Sequence, residues 1–185
     1  MCHILLQTPQ FFSILFQIDS DLAQAAHAQR CERGECSGVL HYGNYPRKPR
    51  GCTAAVQADQ YNFRFSFCCS VCRQRTTPMS VRFLGRRVYL SVLVVLLSAG
   101  VARPTAAATE LAQLLGVPVK TLMRWRQWWR EQFPSTSLWQ AQCARFMPPV
   151  QNSELPASLL ERFAGPAETS LMHLMIFLTP LSIRH

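Results

Sequence analysis

Eight cysteines stand in a chain of 185 residues, and four of them form two close pairs, Cys31-x4-Cys36 and Cys69-x2-Cys72, with 32 residues between the pairs. Each pair makes a short turn that offers two thiolates, and strands in the interval can bring the turns together, which is what a tetrahedral zinc ion requires. Four thiolates close the coordination sphere and leave no position for water. Zn2+ held this way is structural, and its binding free energy becomes folding free energy for a segment with little core of its own. The first pair is wider than the usual C-x2-C, which keeps His41 in reserve as a ligand. The doublet in FCCSVC likewise keeps Cys68 in reserve for Cys69. Cys2, Cys52 and Cys143 have no partner at metal spacing.

The second stretch with chemistry in it is ATELAQLLGVPVKTLMRW, residues 108–125. Ala112 permits close helix approach, Gly116 permits a left-handed turn, and Pro118 suits a first helical turn. Leu111, Leu115, Val117, Leu122 and Trp125 would fill a shared core, and Trp129 and Phe133 continue that apolar stripe. Lys120, Arg124 and Gln127 fall on another face, and these residue types reach guanine, adenine or phosphate in a major groove. Arg126 and Arg130 would sit nearer the nucleic-acid backbone. The pattern is that of a helix-turn-helix whose second helix reads DNA.

Several elements must position these residues. Residues 11–29 have helical spacing, with Ser20 or Asp21 as candidate caps. Residues 31–77 turn to Gly, Pro, Cys, Arg and aromatics, and GNYPRKPRG reads as an extended loop. YNFRFSF, residues 61–67, alternates strictly. Tyr61, Phe63, Phe65 and Phe67 should share a buried face, with Asn62, Arg64 and Ser66 opposite. Helices follow at about 88–98, 105–115 and 118–132, with shorter ones near 137–146, 156–164 and 166–178. The fold class expected is mainly α with a small β zinc ribbon and a helix-turn-helix bundle. Its parts are an N-terminal helical segment (1–30), the ribbon (31–80), the helix-turn-helix (81–134) and a C-terminal packing or dimerisation segment (135–185).

Charge locates the partner. The net charge of +9 is concentrated in residues 30–87, at +8, and residues 103–145, at +4, while both ends are slightly acidic. A basic middle suits a polyanion, because each phosphate neutralised releases a counterion. Positioning contacts are expected from Arg47, Lys48, Arg50, Arg73, Arg75, Arg82, Arg86 and Arg87. No Lys or Arg precedes the apolar stretch of residues 1–29, and Pro9 interrupts it, so no export signal is expected. The cysteines should then stay reduced in the cytoplasm, with the protein associated with the nucleoid. The apolar run RVYLSVLVVLLSAGVA has about 15 apolar or small residues, short of the ~20 that cross a bilayer, and reads as a buried helix.

A cysteine ribbon ending CRQRTTPMSVRFLGRRVY, then an apolar helix, then TELAQLLGVPVKTLMRWRQWW, resembles the N-terminal DNA-recognition region of zinc-ribbon insertion-sequence transposases and related stand-alone bacterial proteins. The resemblance covers residues 31–133. It implies binding to double-stranded DNA, with Cys31, Cys36, Cys69 and Cys72 as zinc ligands and the helix from Pro118 as reader. The apolar C-terminal stretches LPASLLERFAG and SLMHLMIFLTPL either pack on the helix-turn-helix or offer a face to a homodimer partner or a separate transposase subunit. Such transposases carry an RNase H-like domain with three carboxylates. Here only Glu154, Glu161 and Glu168 follow Glu131, in a stretch that reads as helical.

Two-metal chemistry needs clustered carboxylates on a rigid sheet, so the chain reads as non-catalytic, with no catalytic residue assigned and no small-molecule substrate. GxxxxGK[ST], HExxH and GxSxG are absent, and the five histidines are scattered. Two other classes remain open at this stage. One is a protein- or RNA-interaction scaffold, and the other is a small membrane-associated protein anchored by the apolar run.

Overall fold

The computed structural model describes residues 2–85, 87–102, 110 and 112–183. Short helix α1 (Cys2–Leu5) leads into α2 (Pro9–His27). Five short strands follow, β1 (Leu40–Tyr42), β2 (Tyr45–Pro46), β3 (Phe63–Arg64), β4 (Phe67–Cys69) and β5 (Arg75–Thr76), with the one-turn helix α3 (Ala58–Tyr61) before β3. The rest is helical: α4 (Ser91–Ala102), α5 (Val119–Gln127), α6 (Ser137–Gln142), α7 (Ala157–Leu160) and α8 (Ala167–Phe177). The fold is therefore mainly α with a small antiparallel sheet of order β1-β4-β5, plus a separate β2-β3 pair.

The apolar run forms the centre. Every residue from 91 to 98 is buried, because α4 has no polar face and is wrapped by α5, α7 and α8. A helix apolar all round belongs inside a core or a membrane. No helix among the described residues is long and apolar enough to cross a bilayer. The same core takes in Leu6, Phe11 and Leu15 from the N-terminal segment and Leu171, Leu174 and Leu178 from α8. The apolar face of the C-terminal segment thus packs on the chain's own interior.

Helix α2 runs unbroken through Ser20 and Asp21, which correct from caps to mid-helix positions. The reason is the continuous buried stripe Phe11, Phe12, Leu15, Asp19, Ala23. Its one charged member, Asp19, is 2% exposed. Its Oδ2 accepts from Arg82 Nε at 2.7 Å and from Ser80 Oγ at 2.5 Å, and its Oδ1 accepts from the Val81 N–H at 2.6 Å. The Arg82 guanidinium is enclosed by the rings of Phe16, Tyr61, Phe63, Phe65 and Phe83, all within 5.1–5.5 Å of it. Arg82 is therefore withdrawn from the DNA contacts expected of it, since its side chain is wholly buried and its charge is already paired.

This box also revises the YNFRFSF strand. Tyr61 ends α3, pairing breaks at Phe65 and Ser66, and the stretch divides into β3 and β4. Burial does not follow the alternation: Arg64 is 2% exposed and Ser66 fully covered, Phe63 and Phe65 are half-buried, and Asn62 is exposed. The aromatics close around Arg82, while Arg64 donates to the carbonyls of Pro78, Phe83 and Ser182.

Removing one partner of a buried, hydrogen-bonded ion pair leaves the other charge uncompensated, at a cost of about 3–5 kcal/mol. Asp19→Ala should lose stability on that scale in urea unfolding, whereas Lys48→Ala on an exposed loop should stay within about 0.5 kcal/mol. Comparable small losses from both would remove the pair from its structural role.

Candidate metal centre

The four cysteines converge. The Sγ atoms of Cys31, Cys36, Cys69 and Cys72 all lie within 4.8 Å of one another, with Cys31 to Cys72 at 3.7 Å and Cys36 to Cys69 at 3.6 Å. Zn–S bonds of about 2.3 Å in a tetrahedron place sulfurs about 3.8 Å apart, so the two shortest separations match a metal-spanning edge. A disulfide needs about 2.05 Å, and all four thiols are free. The donor set and its spacing fit a tetrahedral, thiophilic metal ion.

Local backbone geometry sets each pair. In the wider first pair the Cys36 N–H donates to Arg33 O at 3.0 Å, and Gly34 adopts φ +57°, so the four intervening residues fold into a turn. In the second, the Val71 N–H donates to Cys69 Sγ at 3.4 Å and the Arg73 N–H to Cys69 O at 3.2 Å. Arg73 takes φ +60° at the end of that turn, a left-handed conformation uncommon for a residue with a side chain. The pairs meet because β1 lies antiparallel to β4 with Leu40 opposite Cys69 and His41 opposite Cys68.

That register decides between the reserve ligands. Successive residues of a strand point to opposite faces. Cys69, buried with Leu40, faces the cluster, so Cys68 and His41 face the other way. Neither joins the four sulfurs.

One participant has no signature in the sequence. A Cβ built on Gly38 would sit 2.4 Å from Cys69 Sγ and 3.1 Å from Val71 Cβ, so only glycine lets this segment pass the sulfur cluster. Its carbonyl accepts from the Cys31 N–H at 3.0 Å. The thiols are also electrostatically unlike. For Cys31 the Arg33 backbone hydrogen bond lowers the pKa, but burial and the neighbouring thiols outweigh it and push it up to about 11. For Cys69 burial raises the pKa, but the backbone N–H groups of Val71 and Cys72 and the adjacent thiols bring it down to about 6.

The expected DNA contacts divide by exposure. Lys120, Arg124, Gln127 and Arg130 are exposed and Arg126 half-buried on α5 and the turn after it, while Trp125, Trp129 and Phe133 are buried beneath. Gln127 Nε2 donates to Glu131 Oε2 at 2.9 Å, which puts a carboxylate beside that face. Ahead of α5, the Val117 N–H donates to Ala112 O and the Gly116 N–H to Gln113 O, with Gly116 at φ +58°, which is a Schellman helix end. Most of the helix expected at 105–115, including Leu111, lies outside the described residues, as does Arg86.

Among the other basic residues expected to contact DNA, Lys48, Arg50, Arg73 and Arg75 are exposed. Arg47 is half-buried and donates to Arg87 O at 2.8 Å. Arg87 is half-buried with its guanidinium 4.2 Å from the Trp128 ring centre. A groove of about 530 Å³ runs between Arg50 and Arg87 on one side and Arg124, Gln127 and Trp128 on the other. No protein-family model, curated protein or solved structure matches the chain.

Metal content per chain and chelator competition test the ligand set. Cys69→Ser should abolish stoichiometric binding and Cys68→Ser should preserve it. Gly38→Ala, with all four sulfurs retained, should weaken affinity by about tenfold or more. Equal behaviour of the two serine variants would overturn the register argument.

Proposed function

We propose that the chain is a non-catalytic, transposase-like DNA-binding protein, with zinc closing a structural four-cysteine ribbon and α5 lying in the major groove of double-stranded DNA. The observation that carries this reading is the exposed row Lys120, Arg124 and Gln127 on one face of α5, backed by buried Trp125 and entered through the Gly116 turn. Residues at i, i+4 and i+7 line one side of a helix, so the three can address one groove together. Arg124 forks to guanine, Gln127 pairs with adenine, and Lys120 meets a phosphate or guanine.

Zinc is the ion that suits four thiolates at these separations, and a closed site of this kind serves folding. The ribbon's exposed Arg73 and Arg75, with Lys48, supply sequence-independent contacts to phosphates. Arg50 and Arg87 flank the groove beside α5 and extend the positive surface towards Arg124. A homodimer would present two such helices about one DNA turn apart, and a separate transposase subunit would supply chemistry this chain is not assigned.

Titration of zinc-loaded protein with duplex DNA at two salt concentrations tests the reading. Affinity should fall steeply with salt, and Arg73→Ala should lower the salt slope by about one on every sequence. Arg124→Ala should cost about 1–3 kcal/mol on the preferred sequence and flatten discrimination. Glu131→Gln, which removes the carboxylate next to Gln127, should tighten binding. Salt-insensitive or absent duplex affinity would leave the protein-interaction scaffold as the better account.

A further inference from the structure

A second basic site lies away from α5. A cavity of about 660 Å³ opens beside β2, β3 and β5, lined by Tyr45, Arg47, Arg64, Arg75, Thr77 and Ser182 among others, with no carboxylate in its described lining. It shares no residue with the groove beside Arg124. Its floor is Arg64, 2% exposed, whose guanidinium donates to Pro78 O at 3.0 Å, Ser182 O at 3.2 Å and Phe83 O at 3.4 Å. Carbonyls satisfy donors, but they do not neutralise the charge. The contrast with Arg82 is direct: Asp19 compensates that guanidinium at 2.7 Å. Burial accordingly pushes the pKa of Arg64 down.

The two arginines on the cavity walls are held but not saturated. Arg75 uses Nη1 for Gly43 O and Ser66 Oγ and rests over the Tyr45 ring at 5.6 Å. Arg47 uses Nη2 for Arg87 O and rests over Phe83 at 5.1 Å. A guanidinium has five N–H donors, so Nη2 and Nε of Arg75 and Nη1 and Nε of Arg47 remain without an acceptor among the described residues. Three arginines line one cavity, their guanidiniums held by carbonyls and rings.

We propose that this cavity binds a phosphoryl dianion, either free phosphate or a terminal phosphate monoester, with Arg47 and Arg75 donating to its oxygens and Arg64 supplying charge from the floor. A monoester carries about −1.5 to −2 charge near neutrality, which answers several guanidiniums better than a single carboxylate does. A phosphodiester inside a duplex is flanked by sugars on both sides and cannot descend towards a group as covered as Arg64. A terminal phosphate can. The site does not depend on the α5 reading, because none of its lining residues lies on α5; Arg75 is the one residue it shares with the phosphate contacts proposed above, and Arg47 and Arg64 carry the distinction.

The test uses the full, zinc-loaded chain and inorganic phosphate as probe, followed by calorimetry and by thermal melting against chloride at matched ionic strength. The melting temperature should rise with phosphate and not with chloride. Arg47→Gln should weaken phosphate affinity by about tenfold. Thr77→Glu places a carboxylate on the cavity wall; it should raise the melting temperature without phosphate and remove the phosphate response. This second variant keeps the test decisive if Arg47→Gln fails to fold. A duplex bearing 5′-phosphate ends, compared with the same duplex bearing 5′-hydroxyl ends, then identifies the source. Displacement of phosphate by the phosphorylated duplex alone assigns the site to nucleic-acid ends, and displacement by neither assigns it to small phosphoryl compounds. A wild-type protein indifferent to phosphate, or a response unchanged by Thr77→Glu, overturns the proposal.

Discussion

The buried pair between Asp19 and Arg82 is the constraint from which most of the architecture follows. Taking two charges out of water is costly, and the pair is tolerable only because other donors complete Asp19 and five aromatic rings enclose the guanidinium. Each partner binds a different part of the chain. Asp19 anchors the middle of α2, and the Ser80 and Val81 donors anchor the segment leading to α4. The carbonyl of Arg82 then accepts from the Ser91 N–H at 2.9 Å, where α4 begins. The rings of Phe63 and Phe65 orient the stretch that continues into β4 and Cys69. One interaction thereby relates the N-terminal helix, the central helix and half of the metal ligands. Its net contribution to stability is smaller than its contribution to uniqueness, since other apolar contacts could fill the same volume without selecting this register.

The metal cluster stands at the edge of that arrangement, where the hydrophobic effect has little to work with. Its own packed group is Ala23, Cys31, Leu40, Phe67 and Cys69, and two of those five are ligands. Strands of two or three residues cannot hold themselves together in water. Ala23, one turn beyond Asp19 on α2, presses against this group from the side of the main core. The sheet is therefore supported at its base by α2 and β4, and its tip, where Gly34 and Arg73 complete the turns, would depend on an ion held by the four sulfurs. Loss of metal would release the tip before it disturbed α4 and the helices around it.

The clustering of the four sulfurs was legible in the sequence because their spacing is local: two short turns, separated by a segment able to form strands. The central helix was legible for an equally local reason, its lack of any polar face. What sequence could not supply was the destination of a charge. Arg82 and Arg73 look alike in a basic run, yet one meets Asp19 across 63 positions and the other faces solvent. The strict alternation of YNFRFSF misled for the same reason. Period two states that the faces differ, and it is usually right that the polar one is wet, but here Arg64 is held by the carbonyls of Pro78, Phe83 and Ser182, and Ser66 by Asn44 and Arg75. Ser20 and Asp21 resembled caps because cap residues are also common on the solvent side of a long helix. Gly38 left no signal, since its requirement comes from a sulfur atom 31 residues away.

Charge must therefore be counted by accessibility before it says anything about partners. The excess in residues 30–87 divides into a compensated interior charge at Arg82, a covered uncompensated one at Arg64, half-buried Arg47 and Arg87, and an exposed remainder. Among the described basic residues, the exposed ones, with the α5 face, are those a polyanion could contact directly. The covered arginines act at short range, where the dielectric is low and shape decides what enters. On the readings proposed above, a chain with both kinds of positive site would draw in a polyanion over its surface and still discriminate, in a separate cavity, between a phosphate that is internal to a strand and one that is terminal.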